Sequence, residues 1–135
     1  MQFSLDEFRN WKHKNITLLG MSGVGKTYLT GILRQHQWFH NYGDYRICTR
    51  YLDEEILDLV KVEAMKTPFL RDLLQKDWIY IRNNIRINDL GPVLSYVGKL
   101  GNPELGGVAL ADFQQRQAKY RDAEIAAMHD IPNFI

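Results

Sequence analysis

Residues 20–27 read Gly20-Met21-Ser22-Gly23-Val24-Gly25-Lys26-Thr27, which meets the pattern GxxxxGK(S/T) at every fixed position. Backbone N–H groups can curl around a triphosphate only where side chains are small or absent, and Gly20, Gly23 and Gly25 meet that demand. Lys26 is spaced to reach the β- and γ-phosphates as a point charge. The Thr27 hydroxyl is spaced to ligate a Mg²⁺ that bridges the same oxygens, and Tyr28 completes the nucleotide-binding stretch.

Other side chains able to act on an anionic substrate lie downstream. Asp44, in Gly43-Asp44-Tyr45-Arg46, either orients an acceptor hydroxyl and takes its proton or fills the turn before a strand. Arg46, Arg50 and Arg71 either clamp an anionic acceptor bidentately or sit solvated on the surface. His13, His36, His40 and His129 have no metal-ligand spacing, and the single cysteine, Cys48, excludes an internal disulfide.

These residues need elements to hold them. A phosphate loop leaves a strand and opens a helix, and Ile16-Thr17-Leu18-Leu19 supplies the apolar, partly β-branched run, with Leu29, Ile32 and Leu33 at helical spacing after it. Ser4 and Glu7 form a capping-box pattern for a short helix with Leu5 and Phe8. Tyr45–Thr49 alternates like a half-buried strand, with Cys48 as a small buried hydrophobe. Trp38, Phe39 and Tyr42 form an aromatic cluster expected in the core. Ile56, Leu57, Val60 and Ala64 mark a helix from Asp53 that begins on three acids, and Thr67-Pro68 restarts the chain as N-cap and first helical residue. The run from Ile79 to Ile87 fits a strand or an irregular segment. Pro92–Gly98 is a further candidate strand, and a long helix follows over about 109–128 with Leu110, Phe113, Tyr120 and Ala127 near one face. Strand, helix, strand, helices, strand, helix implies a three-layer α/β/α parallel sheet, because parallel strands need crossover connections. Only about three strands are found, which implies a single domain over residues 1–135 that is incomplete at its C-terminus, as an N-terminal piece of a longer kinase-like protein.

Absent motifs narrow the class. No DxxG and no Asn-Lys pair occurs, which argues against a GTPase. An apolar run into an acid, the Mg²⁺-polarising feature of mechanical ATPases, is only poorly approximated by residues 85–89 and 51–54. The chain thus resembles the small P-loop kinases of the shikimate, gluconate and nucleoside-monophosphate type, and also bacterial P-loop ATPases of undefined role. The resemblance is specific over Asn15–Thr27 and looser to about Arg71. It implies the P-loop NTPase sheet, ATP and Mg²⁺ as cofactors, Asp44 at the acceptor hydroxyl, and Arg116 on a lid helix that brings positive charge to the transferred phosphoryl. The family's substrate loop is matched loosely by Gly106-Gly107. Its Asp-x-Asp is absent, so shikimate is not implied as substrate.

Composition agrees with a globular chain of 135 residues, 45% hydrophobic and 24% charged, with three Trp and seven Tyr. A net charge of +1 gives no ground for nucleic-acid or membrane-surface binding. Charges near the N-terminus and the lack of a long apolar run predict a cytoplasmic protein. Two functions follow as expectations: a kinase-like phosphotransferase acting on a small anionic acceptor, or an ATPase or nucleotide-dependent regulator without one.

Overall fold

The computed structural model describes residues 4–21, 23–87 and 91–134. The chain divides into two compact units, one through His40 and the other over Asn41–Phe134.

In the first unit, helix α1 (Leu5–Asn10) starts on the anticipated capping box. The Glu7 amide donates to Ser4 Oγ at 3.2 Å and the Ser4 amide donates to Glu7 Oε2 at 2.8 Å, which satisfies two otherwise orphaned donors. The Ser4 amide, and after it the Ser4 hydroxyl, both donating to Oε2, hold the Glu7 carboxyl below its ordinary range. Helix α2 (Lys26–Gln35) follows the glycine loop. Among the described residues of this unit none is buried, and Phe39, expected in a core cluster, is largely exposed.

In the second unit, α3 (Gly43–Arg46) runs directly into a π-helical turn, Ile47–Tyr51. The Leu52 amide donates to the Ile47 carbonyl at 2.8 Å, the i−5 bond of that turn. The wider turn lets Ile47, Cys48 and Leu52 all be buried. Helix α4 (Asp53–Lys66) carries Asp53, Glu54 and Glu55 on its positive end. Helix α5 (Pro68–Gln75) begins with Thr67 as N-cap and Pro68 in its first turn, as expected. Then come α6 (Gly91–Val97), a 3₁₀ turn at Pro103–Leu105, α7 (Leu110–His129) and a 3₁₀ turn at Ile131–Phe134.

The core is Ile47, Leu52, Tyr96, Ala123 and Ala127, bordered by Tyr51, Ile56, Leu59, Val97 and Tyr120. On α7, Phe113, Arg116, Tyr120, Ala123 and Ala127 form the inward stripe at spacings of three and four. The two alanines are small enough to let the π turn and α6 approach. Leu110 stands outside the stripe and is exposed, and on α4 Ile56 and Leu59 meet the core whereas Val60 faces out.

The expected three-layer parallel sheet is overturned. The described residues contain no strand, only an isolated bridge between Leu100 and Val108. Residues 45–49 are helical, residues 92–97 lie in α6, and residues 16–19 have no regular structure, with Leu19 86% exposed. Alternation over five residues is too short to separate a strand from a helical turn whose consecutive residues are both buried. Pro92, next to the start of α6, supplies the fixed φ that favours a helix start.

Candidate functional site

The glycine loop keeps its own geometry without a flanking strand. Gly23 and Gly25 have φ of 83° and 87°, left-handed values at which a side chain is strained. A Cβ added to Gly20 would stand 3.1 Å from Val24 Cγ2. The chain therefore turns at Gly23 and again at Gly25, which delivers it into α2 as N-cap.

Among the described residues no side chain caps α2, and no acid lies in its first turn. Its first intrahelical acceptor bond runs from the Leu29 amide to Gly25 O at 3.0 Å, so the amides before Leu29 are the orphan donors of the helix start. Such an end favours an anion through both its N–H groups and the positive pole of the helix. Lys26 Nζ bends back over the loop and donates to Gly20 O and Met21 O, at 2.6 Å each. The ammonium thus sits at the loop's mouth, held by two carbonyl dipoles. Thr27 and Tyr28 are exposed on the first turn, and Val24 and Met21 are exposed in the loop. Ser22 lies outside the described residues.

The donor set suits a nucleoside triphosphate: glycine backbone, orphan amides, one movable ammonium and no competing carboxylate. For Mg²⁺, Thr27 would supply one hydroxyl. No group of three His, Cys, Asp or Glu is placed to hold a metal among the described residues, so other ligands of such an ion would be phosphate oxygens and water.

The residues expected at an acceptor lie in the second unit, and of the four Arg46 and Arg50 come together, at Asp130. Asp44 is exposed in the first turn of α3. Arg46 donates from Nε to Asp130 Oδ2 at 3.1 Å, and its Nη2 bonds the same oxygen. Its guanidinium also lies 5.1 Å from the centre of the Phe134 ring. Arg50 places Nε 3.8 Å from Asp130 Oδ2 and covers the Tyr51 ring. Arg71 donates from Nε to Met65 O at 2.7 Å, and so ties the start of α5 to the end of α4. Arg116, on the inward stripe of α7, donates to Tyr96 O at 3.1 Å and fastens α7 to α6.

Asp130 and Tyr51 were not singled out by sequence. The Tyr51 hydroxyl donates to Asp130 Oδ2 alongside Arg46. Those bonds hold the Asp130 carboxyl below its ordinary range, the Tyr51 bond contributing most and Arg46 next. Partners so distant in the chain leave no local spacing signal. Gly107, matched loosely to a substrate loop, instead closes its own segment: a Cβ there would come 2.5 Å from the Gly101 carbonyl carbon. A shallow depression of about 260 Å³ is lined by Tyr51, Leu52, Glu55, Lys119, Asp122 and Ala123, with Lys119 paired to Glu55. None of the four expected acceptor residues lines it.

No protein-family model, no curated protein and no solved structure matches the chain. No described helix is long and apolar enough to cross a membrane.

Proposed function

We propose that this chain binds a nucleoside triphosphate, with adenine the expected base, together with Mg²⁺ through Gly20–Thr27 and the first turn of α2. One observation carries the reading: Lys26 Nζ is held at the loop mouth by the Gly20 and Met21 carbonyls, beside an uncapped helix start. An arriving phosphate takes over an ammonium already positioned and orphan amides already aligned. Lys26 trades two carbonyl dipoles for a full negative charge, which favours the bound state. Bound Mg²⁺ would offset the charge of the β- and γ-phosphates.

Between the two expected activities, the occupied arginines favour a nucleotide-dependent regulator or ATPase. Arg46, Arg71 and Arg116 each already serve an internal partner, and releasing any of them for an acceptor would take a hydrogen bond from Asp130 or from a backbone carbonyl. Phosphotransfer to a small anionic acceptor is the second reading, favoured by Asp44, which is exposed in the first turn of α3.

The test is calorimetric titration of the full chain with Mg²⁺–ATP, followed by ATP turnover with and without a panel of hydroxylated anionic metabolites. A charge-assisted bond contributes about 1.5–3 kcal/mol, so Lys26→Ala should weaken binding by about 10- to 150-fold. Thr27→Ala should reduce the Mg²⁺ dependence and leave Mg²⁺-free binding nearly unchanged. Turnover stimulated by one metabolite would select the phosphotransferase. Equal affinity in the wild type and Lys26→Ala would refute the site itself.

A further inference from the structure

Between α5 and α6 the chain has no regular secondary structure over residues 79–86, yet its exposure alternates strictly. Ile79, Ile81, Asn83 and Ile85 are half-buried, while Tyr80, Arg82, Asn84 and Arg86 are exposed. A period of two is the pattern of a strand with one face on its own protein. Among the described residues this segment makes no backbone-to-backbone hydrogen bond. Its one recorded amide bond is local, from Ile85 N–H to Asn83 Oδ1 at 3.3 Å. A strand-patterned run with an open ladder is a template for another strand.

We propose that the partner is a second copy of this chain, paired antiparallel about a two-fold axis through Asn83. The sequence around that residue is self-complementary in a way its neighbours are not. Centred on Asn83, Ile81 faces Ile85 of the other copy, so the half-buried face matches isoleucine with isoleucine, while Ile79 falls opposite Ile87, which lies beyond the alternation and is 39% exposed. On the outer face Tyr80 meets Arg86, and Arg82, whose guanidinium lies 6.0 Å from the centre of the Tyr80 ring of its own chain, meets Asn84. Centring on Arg82 sets that arginine against itself and Ile81 against Asn83. Centring on Asn84 sets Arg82 against Arg86 and Asn83 against Ile85. Only the Asn83 register avoids both like charges and an apolar residue opposite an amide. Odd shifts would put each apolar face against a polar one.

The local bond at Ile85 selects the rung pattern as well. Because the Ile85 N–H already turns to its own Asn83 side chain, Ile85 belongs to a pair that exchanges no ladder bonds. Asn83 opposite Asn83, two residues away, is then of the same kind, with Cα atoms about 4.5 Å apart. Tyr80, Arg82, Asn84 and Arg86 carry the ladder, and theirs are the amides left open.

The register makes a sharp crosslinking test on the full chain under mild oxidation. Asn83→Cys places two thiols directly opposite, within the Cα range of about 4.4–6.8 Å that a disulfide requires, and should give a covalent dimer. Arg82→Cys faces Asn84 of the other copy, so its own thiols are offset by two residues and should stay free. The crosslinked fraction of Asn83→Cys should exceed that of Arg82→Cys by roughly tenfold or more. Mixing Arg82→Cys with Asn84→Cys should restore crosslinking between the two variants. Wild type controls for Cys48, which is buried. Sedimentation should show wild type as a dimer and Arg82→Pro, which lacks a ladder amide, as a monomer of unchanged helicity. Asn83→Cys that stays monomeric, equal crosslinking of all three variants, or a wild type that is monomeric at high concentration would each overturn the pairing. So would a dimer that survives Arg82→Pro unchanged.

Discussion

Two glycines ten residues or fewer apart in the first unit should respond oppositely to the same substitution. Gly25 is the N-cap of α2 at φ 87°, and Gly31 lies within that helix. An added Cβ meets nothing within 4 Å at either position, so packing does not enter the comparison. What remains is backbone energy. Alanine at Gly25 must adopt the left-handed region, at a cost of about 1–2 kcal/mol. Alanine at Gly31 removes the excess unfolded-state freedom of glycine in a helix, a gain of about 0.5–1 kcal/mol. The two variants should differ by about 1.5–3 kcal/mol in urea denaturation followed by circular dichroism. ATP titration adds a second readout: Gly25→Ala should weaken binding because the loop and the first amides of α2 move together, whereas Gly31→Ala should not. If both variants shift stability in the same direction, or Gly25→Ala binds as wild type does, the loop geometry described above is not the one that binds.

Further outcomes concern the second unit. Leu52 is almost fully buried beneath the π turn, so Leu52→Ala should cost about 2–5 kcal/mol, read from the denaturation midpoint. The depressed Asp130 carboxyl contributes stability that is fully present above the ordinary carboxylate range and is lost as pH falls through its lowered folded value. Asp130→Asn should therefore lower stability at neutral pH and flatten the acid limb of a stability–pH curve; an unchanged limb would show that the Tyr51 and Arg46 bonds are not formed in solution. Cys48 is buried and should react with a thiol reagent only as the second unit opens, at a rate that rises with denaturant.

How much of this was readable depends on the range of the interactions concerned. The capping box at Ser4 and Glu7, the acid-led start of α4, the Thr67-Pro68 restart and the length of α7 were legible, because each rests on contacts within one helical turn. In the octapeptide the need for glycine was legible for the same reason, since Gly23 and Gly25 answer to local φ values. Residues 45–49 misled because a five-residue pattern fits a short strand and a single helical turn alike; the adjacent buried pair Ile47 and Cys48 is what a helical face produces, since its inward positions fall three and four residues apart. The roles of Arg46 and Arg116 were hidden in another way. Their partners, Asp130 and the Tyr96 carbonyl, are set by the packing of α7 against the π turn and α6, and an arginine's type does not reveal whether it will meet substrate or its own backbone.

The bonds at Asp130 bear also on the order of events during synthesis. This carboxylate joins Arg46 and Tyr51 across 84 and 79 residues of chain, while most helices of the second unit close over a few. At ~5–20 residues per second, the ribosome makes Arg46 about 4 to 17 seconds before the oxygen that will receive it. Throughout that interval the α3 segment and the π turn lack both that anchor and the alanine stripe of α7. Ile47, Cys48 and Leu52 then stay open to solvent or to a chaperone, and the second unit becomes native only when its last helix arrives.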